Sequence, residues 1–265
     1  MQSKTENWSS GDPYEYFMGR WSRQMAPVFL DWLRLPGNLH WLDVGCGTGA
    51  LSEAILIHNS PASIHAVDPS AKFLEKAEER LGNQVIFKNG GASDLPLESQ
   101  SCNVVVSGLA LNFFPNIDRA FSEMKRVLKP GGTLAAYVWD YAGRMELLRI
   151  FWDAAVRLDP AATKVDEGIR FRICNIRNLQ EIFLNAGLID VKASNLDILT
   201  VFHDFDDYWN PFLGGQGPAP GYFAGLDPDI QEKLKTEIRE RLPLEKDGSI
   251  HLMARAIGIR GTCMK

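Results

Sequence analysis

From about residue 40 to 140 the chain alternates short apolar runs with segments whose apolar residues recur every three to four positions. "LHWLDV", "SIHAVD", "QVIFK", "CNVVVSG" and "TLAAYVW" have the length and content of buried strands. Between them, "ALSEAILIHN", "AKFLEKAEERL" and "IDRAFSEMKRVL" read as helices; in the second, Phe73, Leu74, Ala77 and Leu81 fall on one face. Pro130 and the pair Gly131-Gly132 are expected to stop the third. This β-α rhythm predicts a parallel sheet covered by helices on both faces.

After Trp139 the rhythm changes. "ELLRIFWDAAVRL" reads as an amphipathic helix, and "IRNLQEIFLNAG" as another, opened by Asn175 as N-cap and closed by Gly187. "DVKASNLDILTVF" and "SIHLMARAIGIRG" read as two further strands. The stretch between them, about residues 203–247, is expected to be a cap or lid insertion. Its centre, Gly214 to Gly221, is rich in Gly and Pro without periodicity, and a helix starts near Asp227-Pro228.

Composition narrows the class. The chain has 265 residues, enough for one large domain or one domain with an inserted cap, and 45% are hydrophobic, enough for a full core. A net charge of −5 without any basic run argues against nucleic-acid binding. The N-terminus has no apolar core of signal-peptide length, and no stretch approaches the roughly 18 apolar residues of a membrane helix. A soluble, cytoplasmic protein is expected. Cys46, Cys102, Cys174 and Cys263 are scattered without a C-x-x-C pair, so they are expected to be free thiols, with no zinc site or other metal.

The chemistry concentrates in "WLDVGCGTGAL", Trp41 to Leu51. Gly45, Gly47 and Ala50 fit the dinucleotide pattern G-x-G-x-x-[GA], and Asp68 ends the next strand as that pattern requires. Three features favour a different ligand. Asp43 stands at the mouth of the loop, where a carboxylate repels pyrophosphate and suits an amino group. Gly49 adds a third alternate glycine, so the backbone can approach a ligand along the whole turn. Downstream, "GGASDLP", "VVVSGLALNF" and "VLKPGG" follow or flank the third to fifth strands.

With these motifs the chain resembles the class I S-adenosylmethionine-dependent methyltransferases, in particular the bacterial small-molecule branch related to ubiquinone/menaquinone-biosynthesis methyltransferases. The strong match covers about residues 41–139, and the helix-strand-lid-strand tail fits more weakly. The resemblance implies an α/β, Rossmann-like doubly wound sheet of seven strands, mostly parallel, with the antiparallel last strand inserted between the fifth and sixth and with helical cap insertions. It implies a single domain over 1–265, an S-adenosyl-L-methionine cofactor and a small-molecule methyl acceptor.

The resemblance also assigns residues. The loop Gly45, Cys46, Gly47 and Gly49 would hold the methionine portion of the cofactor, with Asp43 facing its ammonium directly or through water. Asp68, followed by Pro69, would accept from both ribose hydroxyls, since two acceptor oxygens on one short stem match a cis-diol. As a plain structural residue, Asp68 would instead cap the helix after it. The adenine would rest beside Gly91, Ala92 and Ser93, and Ser107 and Leu109 would line the cofactor from the fourth strand. Two departures stand out: Gly91 occupies the position of the usual acidic residue, so Ser93 or Asp94 would have to replace it, and Asn103 stands for the usual Asp at the start of the fourth strand.

Other segments are candidates for closing the site. About residues 12–27, "DPYEYFMGRWSRQMAP", are expected to form a lid in which Tyr14, Phe17, Arg20 and Trp21 cover the sulfonium and Arg20 pairs with the cofactor's carboxylate; the plain alternative is a helix packed on the sheet edge. Asn112, Trp139, Asp140, Tyr141, Tyr208, Trp209 and Phe212 are expected at the acceptor pocket, or else in the core. "HDFDDYW" reads as a solvated helix start rather than a metal site. No general base stands out; Asp140, Tyr141 and His203 are candidates. Two other functions remain open, a nicotinamide-dependent oxidoreductase, for which no Tyr-x-x-x-Lys pair is found, and a non-catalytic cofactor-binding protein. Oligomeric state is not legible.

Overall fold

The computed structural model describes residues 18–214 and 217–264; Tyr14, with the rest of the expected lid before Met18, and residues 215–216 of the cap lie outside the described residues. Strands β1 (His40–Val44), β2 (Ser63–Asp68), β3 (Ile86–Asn89), β4 (Cys102–Gly108) and β5 (Leu128–Trp139) pair in parallel. β7 (Ile250–Thr262) runs antiparallel to β5, and β6 (Ile189–Phe202) lies outside it, giving the order β3-β2-β1-β4-β5-β7-β6. This is the predicted seven-stranded topology. The helices are α1 (Arg20–Leu33), α2 (Ala50–Asn59), α3 (Ala71–Leu81), α4 (Ile117–Val127), α5 (Glu146–Leu158), α6 (Glu167–Arg170), α7 (Ile176–Asn185), α8 (Phe205–Trp209), α9 (Pro218–Ala224) and α10 (Pro228–Arg241).

The chain forms two compact units. Among the described residues, the sheet unit comprises Ser22–Trp139, Ile173–Leu196 and 256–264; the helical unit comprises 18–21, Asp140–Arg172 and Asp197–Arg255.

In the sheet unit, Trp41–Val44 of β1 and Val104–Ser107 of β4 are fully buried, as expected of strands covered on both faces. The helices carry the sequence's periodicity into the core. α4 buries Ala120, Phe121, Met124 and Val127, and Asn116 caps it by accepting from the Arg119 amide at 3.0 Å. α7 is capped by Asn175, which accepts from Asn178 N at 2.9 Å, and is followed by Gly187 at φ +75°. One boundary differs from expectation. α4 ends at Val127, before Pro130, and β5 begins at Leu128 and runs through Lys129–Gly132. Pro130 drives the residue before it to extended backbone, and Gly131 N and Gly132 O bond with Cys263 at 3.0 and 2.9 Å, so the stop signal becomes strand. The strand order reverses beside β1, and ligands of open α/β sheets bind at such a point, beyond the carboxyl ends of the strands, here β1 and β4.

The helical unit is held by aromatic packing. α5 buries Leu147, Leu148, Phe151, Trp152, Ala154 and Ala155. Phe151 stacks on Phe212 at 4.8 Å and 5°, and Trp209 meets Phe223 edge-on at 5.0 Å. α8 confirms "HDFDDYW" as a helix start, with Asp204 accepting from Asp207 N at 2.9 Å. α9 was not legible as a helix. It starts with Pro218 in its first turn, where the missing N–H costs nothing, and it is held by burying Ala219, Pro220 and Phe223.

Candidate functional site

The β1–α2 turn sits at the carboxyl edge of the sheet unit. Gly45, Gly47 and Gly49 have φ of +74°, +55° and +84°, a region where side chains are strained. Their surroundings differ. A methyl on Gly45 would lie 2.6 Å from Ala110 Cβ, and one on Gly49 would lie 3.0 Å from Leu81 Cδ1. These two glycines let the loop after β4 and helix α3 approach. Gly47 has nothing within 4 Å of such a methyl, so it faces open space. The turn is tied to β2: Gly45 N and Cys46 N donate to Val67 O at 2.8 and 3.2 Å, and Gly47 N donates to Asp68 Oδ2 at 2.9 Å.

Two carboxylates stand at this edge. Asp43 is completely buried; its Oδ2 accepts from Ser52 Oγ at 2.8 Å and its Oδ1 has no partner. Burial pushes its carboxyl up to about 7, helped by the nearby charge of Asp68 and opposed by the Ser52 hydrogen bond. Asp68 is 6% exposed and is likewise raised by burial, but its two oxygens hold Ser70 N at 2.8 Å and Gly47 N at 2.9 Å, which push back. The helix cap of α3 is Ser70, accepting from Phe73 N at 3.4 Å, rather than Asp68. Each Asp68 oxygen uses one hydrogen bond and can accept another. Cys46 between them is buried and its thiol is pushed up by burial and by both carboxylates.

The remaining candidates of the sheet unit flank this turn. Gly91 is exposed, Ala92 and Ser93 are half-buried, and Ser93 O accepts from Arg119 Nε at 2.9 Å. Asn89, not singled out from the sequence, donates from Nδ2 to Asp68 O and Pro69 O at 3.2 and 3.1 Å and so fixes the chain after Asp68. Leu109 adopts φ +58° and donates its N–H to Tyr137 O at 2.8 Å. Ser107 Oγ and both amide atoms of Asn112 are buried without partners. Asn103 Oδ1 accepts from His40 N at 3.0 Å, a structural role for that departure. Trp139 is 2% exposed, in the core. Ser52, also missed, carried one signal: a lone hydroxyl among the apolar residues of "ALSEAILIHN".

The other candidates belong to the helical unit, where most already have partners. Arg20 Nη1 reaches Asp207 Oδ1 at 2.8 Å, and its guanidinium lies 4.2 Å over the Trp21 ring and 4.7 Å over Phe202. Asp140 accepts from Gly143 N at 3.0 Å and Arg144 N at 3.1 Å, closing the turn before α5. Tyr208 is fully buried and donates to Leu147 O at 2.9 Å; Trp209 and Phe212 are buried against it, and Tyr141 is buried 5.1 Å from Phe171. His203 is exposed and pairs with Asp204 at 3.0 Å, which raises its imidazole above the usual range. Among the described residues, no cluster of three or more His, Cys, Asp or Glu could hold a metal ion, and no helix is long and apolar enough to cross a membrane.

A family model described as a methyltransferase domain matches residues 42–136, the span from β1 to β5 that carries this turn. Over 107 residues the chain is 36% identical to the ubiquinone/menaquinone biosynthesis C-methyltransferase of Campylobacter jejuni, covering 38% of this chain and 45% of that protein. The span from β1 to β5 is therefore similar to a methyltransferase domain. The chain spans less than half the length of the relative it matches here. Two solved structures share the methyltransferase fold. The YcgJ protein from Bacillus subtilis superposes with a TM-score of 0.61 at 18% identity, covering 91% of this chain and 99% of that one. Phosphoethanolamine N-methyltransferase 2 from Haemonchus contortus, in complex with S-adenosyl-L-methionine, gives 0.59 at 17% identity, covering 96% and 56%.

The residues at this edge are compatible with the S-adenosyl-L-methionine seen in the Haemonchus structure. A buried carboxylate oxygen of Asp43 awaits a donor, Asp68 keeps free acceptor positions, and Gly47 borders open space. A cavity of about 410 Å³ lies elsewhere in the sheet unit, lined by Thr133, Asp190, Lys192, Arg260, Gly261 and Thr262; it contains none of these residues.

Proposed function

We propose that the protein transfers a methyl group from S-adenosylmethionine to a small-molecule acceptor by in-line displacement. When bound, the cofactor supplies a methyl carbon activated by its sulfonium. The observation that carries the reading is Asp43: a fully buried carboxylate with one unpartnered oxygen, beside a glycine turn, suits a cation and opposes a pyrophosphate. In this reading Asp43 meets the cofactor's ammonium, Asp68 the ribose hydroxyls, and Gly47 lets the chain pass close to the methionine portion. Pro69, Gly91, Ala92 and Ser93 border the adenine, held by backbone and apolar contacts because Gly91 has no carboxylate to offer. Ser107 and Leu109 line the same edge, and Asn112, whose amide is buried and unsatisfied, is the polar contact for the acceptor.

Catalysis then rests on positioning the acceptor about 3–3.5 Å from the methyl and on excluding water. The net charge of −5 supports a small molecule over nucleic acid, and four free cysteines support a reducing, cytoplasmic setting. Calorimetry tests the reading: S-adenosylhomocysteine is expected to bind and NADH to give no heat. The reverse pattern would replace the methyltransferase with an oxidoreductase.

A further inference from the structure

We propose that Asp43 carries a proton in the free protein and that the cofactor's ammonium displaces it, so that each cofactor bound expels one proton to solvent. The proposal rests on the cofactor reading above. Before binding, the O–H of the neutral carboxyl holds the charge to zero; on binding, that bond breaks, the proton leaves and the carboxylate pairs with the ammonium. The charge on Asp43 is cancelled in both states, by the proton before binding and by the ammonium after it, and that is the physical advantage of the exchange. A fully buried carboxylate without a countercharge is costly, whereas either a proton or an ammonium cancels it.

The geometry singles out Asp43 for this exchange. It is 0% exposed and is hydrogen-bonded by Ser52, whose Oγ donates to Oδ2 at 2.8 Å, while Oδ1 has no partner. Its register partners on the flanking strands are apolar, Ala66 on β2 and Val106 on β4. The titratable groups that act with it are Asp68 and the Cys46 thiol, neither of which supplies positive charge. On α2, Glu53 is matched by Arg80 of α3 at 3.2 Å. Asp68 is the weaker proton holder, because two backbone N–H groups stabilise its ionised form. The upward displacement of Asp43 to about 7, caused first by burial, puts the exchange near neutral pH.

Proton release is read from the buffer dependence of the binding heat. S-adenosylhomocysteine is titrated into the full chain in phosphate, PIPES and imidazole at pH 6, and in phosphate, imidazole and Tris at pH 8. The expected slope of enthalpy against buffer ionisation heat corresponds to about one proton released at pH 6 and falls toward zero at pH 8. Affinity is expected to weaken about tenfold for each pH unit below 7 and to level off above it. Asp43→Asn should abolish both slopes and bind more weakly at pH 8. Ser52→Ala, which removes the bond favouring the ionised form, should move the affinity profile to higher pH, and it serves as the test if the Asp43→Asn protein does not fold. Tight binding at pH 6 with a buffer-independent heat would overturn the proton exchange and leave the cofactor reading standing. A slope that persists in Asp43→Asn would put the proton on another group. No heat at any pH would overturn both.

Discussion

At the carboxyl ends of β1 and β4, Asp43 Oδ1, Ser107 Oγ and both amide atoms of Asn112 are buried without partners. In the helical unit, Tyr208 and Trp152 are as deeply buried, yet Tyr208 donates to Leu147 O at 2.9 Å and the Trp152 indole donates to Glu167. Unpartnered nitrogens occur there too, on Arg20, Trp21 and Arg149, but both guanidinium groups are already paired with carboxylates, Asp207 and Asp166. An unsatisfied buried polar group costs roughly 1–3 kcal/mol, a cost that a bound ligand can offset. The difference is one of polar pairing: comparably buried groups are paired in one place and unpaired in the other. Asp43 Oδ1, Ser107 Oγ and the Asn112 amide have no partner, whereas the Tyr208 hydroxyl and the Trp152 indole do.

The comparison breaks most directly at the aromatic core. Phe212→Ala removes a fully buried ring stacked on Phe151 and is expected to cost about 3–5 kcal/mol of stability, while any folded fraction binds S-adenosylhomocysteine as before. Denaturant unfolding with calorimetry checks both; a stable variant with weakened cofactor binding would make Phe212 a ligand residue. The opposite outcome is expected of Asp68→Asn. It retains the shape but loses the charged acceptor, and each hydrogen bond to a charged group is worth roughly 1.5–3 kcal/mol. Affinity should fall at least about tenfold, with a smaller loss of melting temperature.

Asp43 separates stability from binding through pH. Its carboxyl sits at about 7 in the folded protein against an ordinary 3.8, so the fold favours the protonated form. That advantage is full below about pH 4 and is lost as pH rises through about 7. Without ligand, the melting temperature of Asp43→Asn minus that of the parent should therefore be larger at pH 8 than at pH 5. Equal differences at both pH values would mean that Asp43 is ionised in the free protein.

Two smaller effects sharpen the contrast. Tyr208→Phe deletes one hydroxyl bond to Leu147 O, which keeps its helical bond within α5, so about 0.5–1.5 kcal/mol of stability should go with no change in cofactor affinity. Gly91→Asp should leave stability nearly unchanged and affinity equal or better. Gly91 is absent from the positive-φ glycines, and an added methyl there meets nothing within 4 Å. A clear loss of affinity in a folded Gly91→Asp protein would show that the bare backbone itself is needed.

Much of the sheet unit was legible because its signals are local. The β-α rhythm, the cap Asn175, the stop at Gly187 and the positions of Asp43 and Asp68 at strand ends all follow from signals of a few residues, whereas the cap Asn116 emerged only in the structure. The helical unit was legible in α5 and α10 but not in α9, whose seven residues are helical because of what Ala219, Pro220 and Phe223 bury rather than through any period. The aromatics Tyr208, Trp209 and Phe212 could be listed from the sequence but not assigned, since a ring in a pocket and a ring in a core have the same local signature.

The sequence by itself determined the order of elements, the α/β class and the glycine turn with its two acids, since backbone propensity and hydrophobic period are properties of neighbouring residues; the strand order was implied by the family resemblance. Only the tertiary structure decided what each of those residues does. The three glycines look alike in sequence, yet Gly45 admits Ala110, Gly49 admits Leu81, and Gly47 alone faces open space. Arg20 found Asp207 across 187 positions, and Asp43 found Ser52 across 9. The charge state of Asp43 depends on burial and on Asp68 of the neighbouring strand. Burial and proximity are sums over the whole packed chain, and no short window of sequence contains them.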